Sequence, residues 1–428
     1  MLEVWLLVHA ATAHAQFTFI TNSGTITLTG YSGPGGNVTI PDKINGLPVT
    51  GIRMNAFCGC INLTMVVIPN SLTSIGDAAF CSCPNLTEVL LGSSVTNIGS
   101  SAFYDCCNLT ALTLPNGLTR IGDAAFWGCG LTSVTIPASV TSIGSAPFGY
   151  CPNLAAISVN AGNSAYVSAA GVLFDVSQTT LIQYPAARVA SSYAIPCSVT
   201  RIGDEAFWSS DLTSITIGNT VTNIGRAAFC YCSELTSVAI PDSVSGIADQ
   251  TFYGCGSLTN VSMGDRLARI DESAFEGCTS LTSLTIPNSV SSVGDYAFYR
   301  CSRLTSVHFM GNVPALGWEV FVGGNATVYY LPGTTGWGNW FGGCPTAMWV
   351  LPGPLILNRG SSFGVKTNKF SFIISWATNA LVVVEACSKL APSAWSAVQT
   401  NALTNGWLYF TDPNWTNYPS RYYRVRSP

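Results

Sequence analysis

The chain repeats one unit of about 23 residues many times, and residues 281–301 are its clearest copy: Leu-Thr-Ser-Leu-Thr-Ile-Pro-Asn-Ser-Val-Ser-Ser-Val-Gly-Asp-Tyr-Ala-Phe-Tyr-Arg-Cys. One copy is too short to bury its own apolar face, whereas stacked copies can bury theirs together. The repeat therefore predicts a solenoid. It constrains the fold far more strongly than it constrains the ligand.

The register of the repeat is clearest on the phenylalanines that recur at one position of the unit: Phe57, Phe80, Phe103, Phe126, Phe148, Phe207, Phe229, Phe252, Phe275, Phe298 and Phe321. Successive phenylalanines are 22 or 23 residues apart, except for one step of 59 residues after Phe148. The strand-like runs at 171–174 and 180–185 predict that a β-hairpin replaces the usual turn there, at about residues 155–195.

Within one unit, Leu281, Leu284 and Ile286 have the spacing of a short parallel strand. Pro287 ends that strand because proline cannot donate to the sheet. We expect Phe298 to lie on a short helical or 3₁₀ turn with its ring in the core, where burial contributes roughly 1.5–3 kcal/mol. Aspartates recur near the Gly-Asp bend and are expected to cap the helical turn that follows: Asp77, Asp123, Asp204, Asp271 and Asp295.

The ends of the chain depart from the repeat. Residues 1–15 have an apolar stretch and an Ala-His-Ala site typical of a secretory signal peptide, although Glu3 stands where a basic residue is usual. Residues 16–56 alternate as strands do and are predicted to form an N-terminal β cap and the first repeat. The solenoid is expected over 57–349, with its C-terminal cap at about 310–349.

Residues 350–428 are predicted to form a separate small β-sandwich. Several strand-like runs, such as 370–376 and 381–386, follow the linker-like 352–354. Tryptophans recur through this tail at Trp376, Trp395, Trp407 and Trp415. In this respect the tail resembles fibronectin-III-like or Ig-like modules of secreted bacterial proteins.

The repeat motif is L-T-x-L-x-I-P-x-x-V-x-x-I-G-x-x-A-F-x-x-C. Over about residues 38–345 it resembles the BspA-type leucine-rich repeat of bacterial surface proteins. A period of 23 also lies within the range of roughly 20–29 residues for leucine-rich repeats. The resemblance implies a right-handed, curved solenoid on an exported protein, with short parallel strands. It also implies adhesion, because several members of the family act in adhesion. It implies no catalytic residues.

Composition excludes several function classes. Charged residues make up 9% of the chain and the net charge is −4, so there is no basic stripe for nucleic acid. No uninterrupted apolar run reaches the roughly 18 residues of a transmembrane helix. His308 is the only histidine outside the predicted leader, and we interpret it as an exposed substitution on the sheet face rather than part of a Ser-His-Asp arrangement. We therefore expect no enzyme activity and no cofactor.

A cysteine recurs three residues after most of the anchoring phenylalanines: Cys60, Cys83, Cys106, Cys129, Cys151, Cys232, Cys255, Cys278 and Cys301. The favoured interpretation is a ladder of free, buried thiols that act as small hydrophobes. Disulfides between neighbouring turns are the alternative, but they need local compression, because strands lie about 4.8 Å apart and disulfides need Cβ atoms about 3.5–4.5 Å apart. A zinc site at Cys58, Cys60, Cys81 and Cys83 is a weaker alternative, so no metal is predicted.

The candidate ligand-binding surface is the outward face of the main strands, which is hydroxyl-rich and nearly uncharged: Ser133, Thr135, Ser214, Thr216, Ser237, Asn260, Ser262, Ser283, Thr285, Ser306 and His308. We expect an exported or cell-surface protein that binds a protein or glycan ligand through this face. The alternatives are a structural component of the cell envelope or matrix, and a carbohydrate-binding accessory protein acting through the tail aromatics. Ice binding is a further alternative, because ice-binding solenoids also carry a regular Ser-x-Thr array.

Overall fold

The computed structural model describes residues 16–349, 351, 353–357, 363–366, 369–376, 379–390 and 394–428. The predicted signal peptide, residues 1–15, lies outside the described residues. Residue contacts divide the chain into two units, Met1–Leu258 and Thr259–Pro428. The repeats form a parallel-strand β-solenoid of about 13 turns with a period of about 23 residues. The predicted solenoid and its period are therefore confirmed.

The strands of the first unit are β1 (Phe17–Asn22), β2 (Thr25–Tyr31), β3 (Gly36–Thr39), β4 (Lys43–Ile44), β5 (Leu47–Ile52), β6 (Leu63–Val67), β7 (Ser74–Ile75), β8 (Glu88–Leu90), β9 (Asn97–Ile98), β10 (Ala111–Leu112), β11 (Arg120–Ile121), β12 (Ser133–Ile136), β13 (Ser142–Ile143), β14 (Ala156–Val159), β15 (Tyr166–Ala169), β16 (Val172–Asp175), β17 (Thr180–Gln183), β18 (Ser192–Ala194), β19 (Arg201–Ile202), β20 (Ser214–Thr216), β21 (Asn223–Ile224), β22 (Ser237–Ile240) and β23 (Gly246–Ile247).

The strands of this unit stack in two rows. The main row consists of β3, β6, β8 and β10 in one sheet, β12 and β14 in a second, and β18, β20 and β22 in a third. The opposite row consists mostly of two-residue strands, with β7, β9, β11 and β13 following β5, and with β19 and β21 following β17. Equivalent residues of neighbouring turns pair in parallel register, as Val66 does with Val89.

Both predicted departures from the repeat in this unit are β structures. At the N-terminus, β1 and β2 form an antiparallel hairpin whose Phe17 and Tyr31 rings pack on Phe57. In the 59-residue step, β15, β16 and β17 pair antiparallel, and β17 then pairs parallel with β19. The predicted hairpin is therefore present, and the parallel row resumes from it.

The core follows the phenylalanine register. Phe80, Phe103 and Phe126 are fully buried, and their rings stack with centroids 5.2 and 5.5 Å apart and planes within 4° of parallel. Tyr184 takes the place of a phenylalanine after the hairpin and stacks on Phe207 with centroids 5.0 Å apart. The ring that each unit contributes is therefore buried by its neighbours, as the repeat predicts.

The segment around the core phenylalanine is a series of turns, and the short helical turn that we predicted at Phe298 is not formed. Tyr296 and Arg300 have positive φ angles of 56°, which interrupt a helical path on both sides of Phe298. The backbone N–H of Phe298 donates to Val320 of the following turn, with N and O 3.0 Å apart. Hydrogen bonds to the next turn therefore combine with local turn bonds, such as that from the N–H of Tyr299 to Tyr296 at 2.9 Å, and no helix forms.

The predicted cysteine ladder consists of free thiols, all of them buried except the half-buried Cys60. The Cys83 thiol donates to the carbonyl oxygen of Phe57 at 3.2 Å, and Cys106 repeats this contact with Phe80 at 3.1 Å. Cysteine thus supplies a small apolar side chain and a donor for a core carbonyl. The one disulfide among the described residues joins Cys58 and Cys81, whose Cα atoms are 4.6 Å apart, and the sequence did not predict it.

The repeated aspartates cap a neighbouring turn rather than their own. Asp77 Oδ1 accepts the backbone N–H of Ser100 at 2.8 Å, and Asp123 Oδ1 accepts that of Ser145 at 2.7 Å. Our prediction that they cap the following helical turn is wrong in its partner, because no helix forms there. The aspartate instead fixes the bend of the next repeat, about 23 residues further along.

The strands of the second unit are β24 (Asn260–Met263), β25 (Arg269–Ile270), β26 (Ser283–Ile286), β27 (Ser292–Val293), β28 (Ser306–Phe309), β29 (Ala315–Leu316), β30 (Thr327–Tyr330), β31 (Trp340–Phe341), β32 (Cys344–Met348), β33 (Leu355–Leu357), β34 (Gly364–Lys366), β35 (Lys369–Ser375), β36 (Leu381–Cys387), β37 (Ser396–Ala402), β38 (Trp407–Asp412) and β39 (Tyr422–Arg426), with one 3₁₀ turn at Trp415–Asn417.

In this unit, β26, β28, β30 and β32 form a main row of strands, and β25, β27 and β29 form the opposite row. The tail has two antiparallel sheets, one of β33, β34, β35 and β38 and one of β36, β37 and β39. Phe372 and Phe410 of the first sheet share a buried core with Val382 and Val384 of the second. The tail therefore consists of two packed sheets, and its likeness to fibronectin-III or Ig modules stays a prediction.

The tail also contacts the last solenoid turns. Ser375 Oγ donates to the carbonyl oxygen of Pro332 at 3.0 Å, and Leu331, Leu357 and Ile373 form a small buried cluster. Because these contacts exclude water, the tail packs on the end of the solenoid within this unit.

Candidate functional site

The predicted outward strand face alternates with the core as expected. In β12, Ser133 and Thr135 are exposed while Val134 is buried, and β26 repeats the pattern. Ser283 pairs with Ser306 and Thr285 with His308 across β26 and β28. On β12 and β26 the predicted residues therefore lie opposite the core, and those of β26 are in register with β28. Whether they bind a ligand remains a prediction.

The structure distributes these residues over several sheets. Ser133 and Thr135 belong to the two-stranded sheet of β12 and β14, and Ser214, Thr216 and Ser237 belong to the sheet that begins at β18. The remaining predicted residues, Asn260, Ser262, Ser283, Thr285, Ser306 and His308, lie in the second unit. The predicted ligand-binding face is therefore divided among several sheets.

A groove of about 820 Å³ lies on the strand face of β8 and β10, which the prediction omitted. Its lining includes Glu88, Leu90, Ala111 and Thr113, and Leu90 is 45% exposed. Leu90 pairs with Val67 of β6, so two apolar side chains lie side by side on this face. The same positions carry mostly serine and threonine in later turns, so an alignment of all turns shows that this part of the face is more apolar.

His308 is half-buried, so our interpretation of an exposed histidine is wrong. Its ring stacks on Tyr329 with centroids 4.9 Å apart and lies 4.6 Å from the Trp349 ring. Burial lowers the pKa of His308, which favours the neutral imidazole near pH 7. The sequence missed this aromatic group because its members come from three different turns.

A second surface lies along the edge of the turns that follow the core phenylalanines. We name it the outer edge row, and its members are Tyr104, Trp127, Tyr150, Trp208 and Tyr231. The Tyr104 and Trp127 rings stack with centroids 4.6 Å apart, and Trp127 contacts both Tyr150 at 5.1 Å and Trp208 at 5.8 Å. Tyr231 follows at 5.8 Å from Trp208. The row therefore continues across the 59-residue step.

Glu205 lies in the middle of this row. Trp127 Nε1 donates to Glu205 Oε2 at 2.7 Å, although the two residues are 78 positions apart. Burial raises the pKa of Glu205, with Asp204 acting in the same direction and with Trp127 and Arg226 opposing it. Among the described residues, no cationic side chain forms an ion pair with this carboxylate.

The four tail tryptophans do not form a common surface among the described residues. Trp376 Nε1 donates to the Leu351 carbonyl at 2.9 Å, and the Arg424 guanidinium lies over Trp395. Trp407 packs against Gly333, and Trp415 lies on the 3₁₀ turn. The sequence could not reveal that these rings face different partners.

The C-terminal arginines, the only basic cluster of the sequence, form ion pairs within the tail. Arg424 and Arg426 both contact Glu385, at 2.7 and 2.9 Å, and these hydrogen bonds lower the pKa of Glu385. Arg421 contacts the buried Asp412 at 2.6 Å. These arginines therefore stabilise the tail sheets.

The zinc alternative concerned Cys58, Cys60, Cys81 and Cys83. Over the part of the chain that the structure describes, no three His, Cys, Asp or Glu side chains are grouped as metal ligands would be. Cys58 and Cys81 are joined to each other, which removes two of the four thiols of the zinc alternative. Burial raises the pKa of Cys60 to about 11 and that of Cys151 to about 12, so these thiols are protonated near pH 7.

No helix within the described ranges is long and apolar enough to span a bilayer.

The repeats match the BspA type leucine rich repeat region in six copies, over residues 36–155 and 200–327. The match covers more than half of the chain, so the protein belongs to this family of leucine-rich repeat proteins. No curated protein matches the chain significantly.

Solved structures of bacterial leucine-rich repeat proteins are also similar. A leucine-rich repeat protein from Eubacterium ventriosum is 25% identical, with a TM-score of 0.56, and the match covers 76% of this chain and 95% of the other. A leucine rich cell surface protein from Faecalibacterium prausnitzii is 29% identical, with a TM-score of 0.46, covering 68% and 86%.

Proposed function

We propose that this protein binds a protein ligand at a bacterial cell surface through the outward strand face of its solenoid, without catalysis. The observation that carries the proposal is the groove of about 820 Å³ over β8 and β10. Its mixture of the exposed Leu90, the carboxylate of Glu88 and threonine hydroxyls suits a protein surface, which offers apolar side chains together with hydrogen-bonding groups.

Export is part of the proposal. The Cys58–Cys81 disulfide supports it, because disulfides persist in oxidising compartments and are rare in the cytosol. A similar protein, that of F. prausnitzii, is described as a cell surface protein. The family is typically non-catalytic, and no Ser-His-Asp arrangement surrounds His308 within the described ranges, where its ring partners are Tyr329 and Trp349.

A glycan ligand is the second candidate. The paired hydroxyl positions Ser283 with Ser306, and Thr285 beside His308, favour it in the second unit. Sugars offer many hydroxyls, and such a row can donate to and accept from them.

The proposal is tested by applying the full chain to arrays of extracellular matrix proteins and of glycans. Leu90→Arg places a bulky cation in the groove, and Thr285→Arg does so on the second-unit face. Val176→Arg is the matched control, because Val176 is 50% exposed on the inserted hairpin. We expect a protein ligand whose binding Leu90→Arg removes and Val176→Arg preserves. Binding only to glycans, lost in Thr285→Arg, would favour the second candidate, and binding that both face variants retain would overturn the use of this face.

A further inference from the structure

The outer edge row contains residues whose backbone conformation and exposure do not favour the stability of the fold. Tyr150 and Tyr231 have left-handed backbones with φ of 47° and 56°. The same position of the repeat carries glycine in five turns, all with positive φ: Gly59, Gly128, Gly254, Gly277 and Gly323. Glycine adopts this conformation without a steric penalty, whereas tyrosine is strained there. Both rings are nevertheless prominent at the surface, being 44% and 47% exposed.

Two polar groups in the row also lower the stability of the fold. The Glu205 carboxylate is half-buried and accepts a hydrogen bond from Trp127 without a cation in contact. The buried indole N–H of Trp208 has no acceptor among the described residues. Burying a charge or a donor without a partner destabilises a fold. Strain, unpaired charge and exposed rings therefore coincide on one edge of the first unit.

The second unit shows which partner such an edge can take. There Arg300 occupies the position of Tyr150, and its guanidinium carbon lies 5.1 Å from the centroid of the Tyr299 ring. A cation over an aromatic ring is attracted by the ring quadrupole. Within the described ranges, no arginine lies over Trp127, Tyr150, Trp208 or Tyr231 in this way.

We infer that the outer edge row binds a partner protein through lysine or arginine side chains, one of which pairs with Glu205 and lies against the Tyr150 and Trp208 rings. The charges around the row fit this partner: Asp105 and Asp204 are acidic, and the nearest base, Arg226, donates to Gln250 at 3.1 Å. This surface is separate from the strand face proposed above, so either one can function without the other.

The test uses the full chain and a fluorescent octapeptide of alternating glycine and lysine, measured by fluorescence polarisation at about 20 mM and about 150 mM salt. The same peptide with acetylated lysines is the uncharged control. Glu205→Gln removes the charge and keeps an acceptor for Trp127. Tyr150→Gly and Tyr231→Gly remove a ring at positions where glycine relieves strain, so unfolding does not account for a loss of binding. Arg300→Gly is the matched control in the second unit.

We expect the lysine peptide to bind, more weakly at the higher salt, and the acetylated peptide to bind at least tenfold more weakly. Glu205→Gln should weaken binding about tenfold, and each glycine variant about threefold. Arg300→Gly and Leu90→Arg should leave it unchanged, which separates this result from the test of the strand face. Equal binding of the two peptides, no binding of the lysine peptide, or full binding by Glu205→Gln would overturn the inference.

Discussion

Two adjacent positions of the repeat behave in opposite ways. The core phenylalanine is the same in turn after turn, and at Phe80, Phe103 and Phe126 its ring is buried between two others. The next residue is a disulfide-bonded cysteine at Cys81, a tyrosine at Tyr104 and a tryptophan at Trp127. One step along the chain thus changes a uniform position into a variable one.

The difference shows what stacking does and does not constrain. A ring between two identical rings has its volume and orientation set by both neighbours, because protein interiors are close-packed. A side chain at the edge has solvent on one side and accepts many residue types. Features particular to this protein, namely the disulfide and the outer edge row, therefore occur beside the core ladder rather than in it.

The largest effect is expected from breaking the core ladder. Phe126→Ala removes a ring packed between Phe103 and Phe148 and should lower the free energy of unfolding by about 3–5 kcal/mol. The measurement is the midpoint of urea unfolding. Tyr150→Ala, at the exposed edge, should cost under about 1 kcal/mol. Equal losses in the two variants would contradict the contrast between core and edge.

A smaller effect is expected from the disulfide. Replacing Cys58 and Cys81 by serine opens a loop of 23 residues and should destabilise the first unit by about 3 kcal/mol. The urea midpoint of the wild type should fall on adding reductant, whereas that of the double variant should not move. A wild type insensitive to reductant would show that the bond does not stabilise the fold.

The smallest effect concerns the charge of Glu205. Because its pKa in the folded protein is raised, Glu205 favours folding most when protonated, below its unfolded pKa of about 4.3. That contribution is lost as pH rises through the folded pKa. Glu205→Gln should therefore match the wild type in thermal stability at acid pH and become the more stable of the two toward neutral pH. A stability difference that does not change with pH would contradict the burial of an unpaired carboxylate.

The features that follow from the repeat were predicted from the sequence. The 23-residue spacing of phenylalanines gave the solenoid, the inward alternation of β26 and the interruption after Phe148, since each depends only on burying apolar residues at a fixed period. The turn around Phe298 was misjudged because φ angles such as that of Tyr296 are set by hydrogen bonds to the next turn. Local helix-like patterns do not reveal such bonds.

Contacts between distant turns were harder to predict. Trp127 meets Glu205 across 78 residues, although the Phe148 turn and the inserted hairpin lie between them in the sequence. His308 is covered by Tyr329 and Trp349, which belong to later turns of the same row. Aligning all copies of the unit would have shown aromatic residues recurring after the core phenylalanine, but not that their rings touch.

The central claim, that neighbouring positions of the repeat have different environments, is tested most directly by mapping the cysteines. The protein is unfolded without reductant, its thiols are alkylated, and the peptides are identified by mass spectrometry. We predict alkylation of 14 of the 16 cysteines, including Cys60 and Cys83 of the ladder, and one linked peptide pair joining Cys58 to Cys81. Disulfides between ladder cysteines, with Cys58 and Cys81 alkylated, would contradict the account.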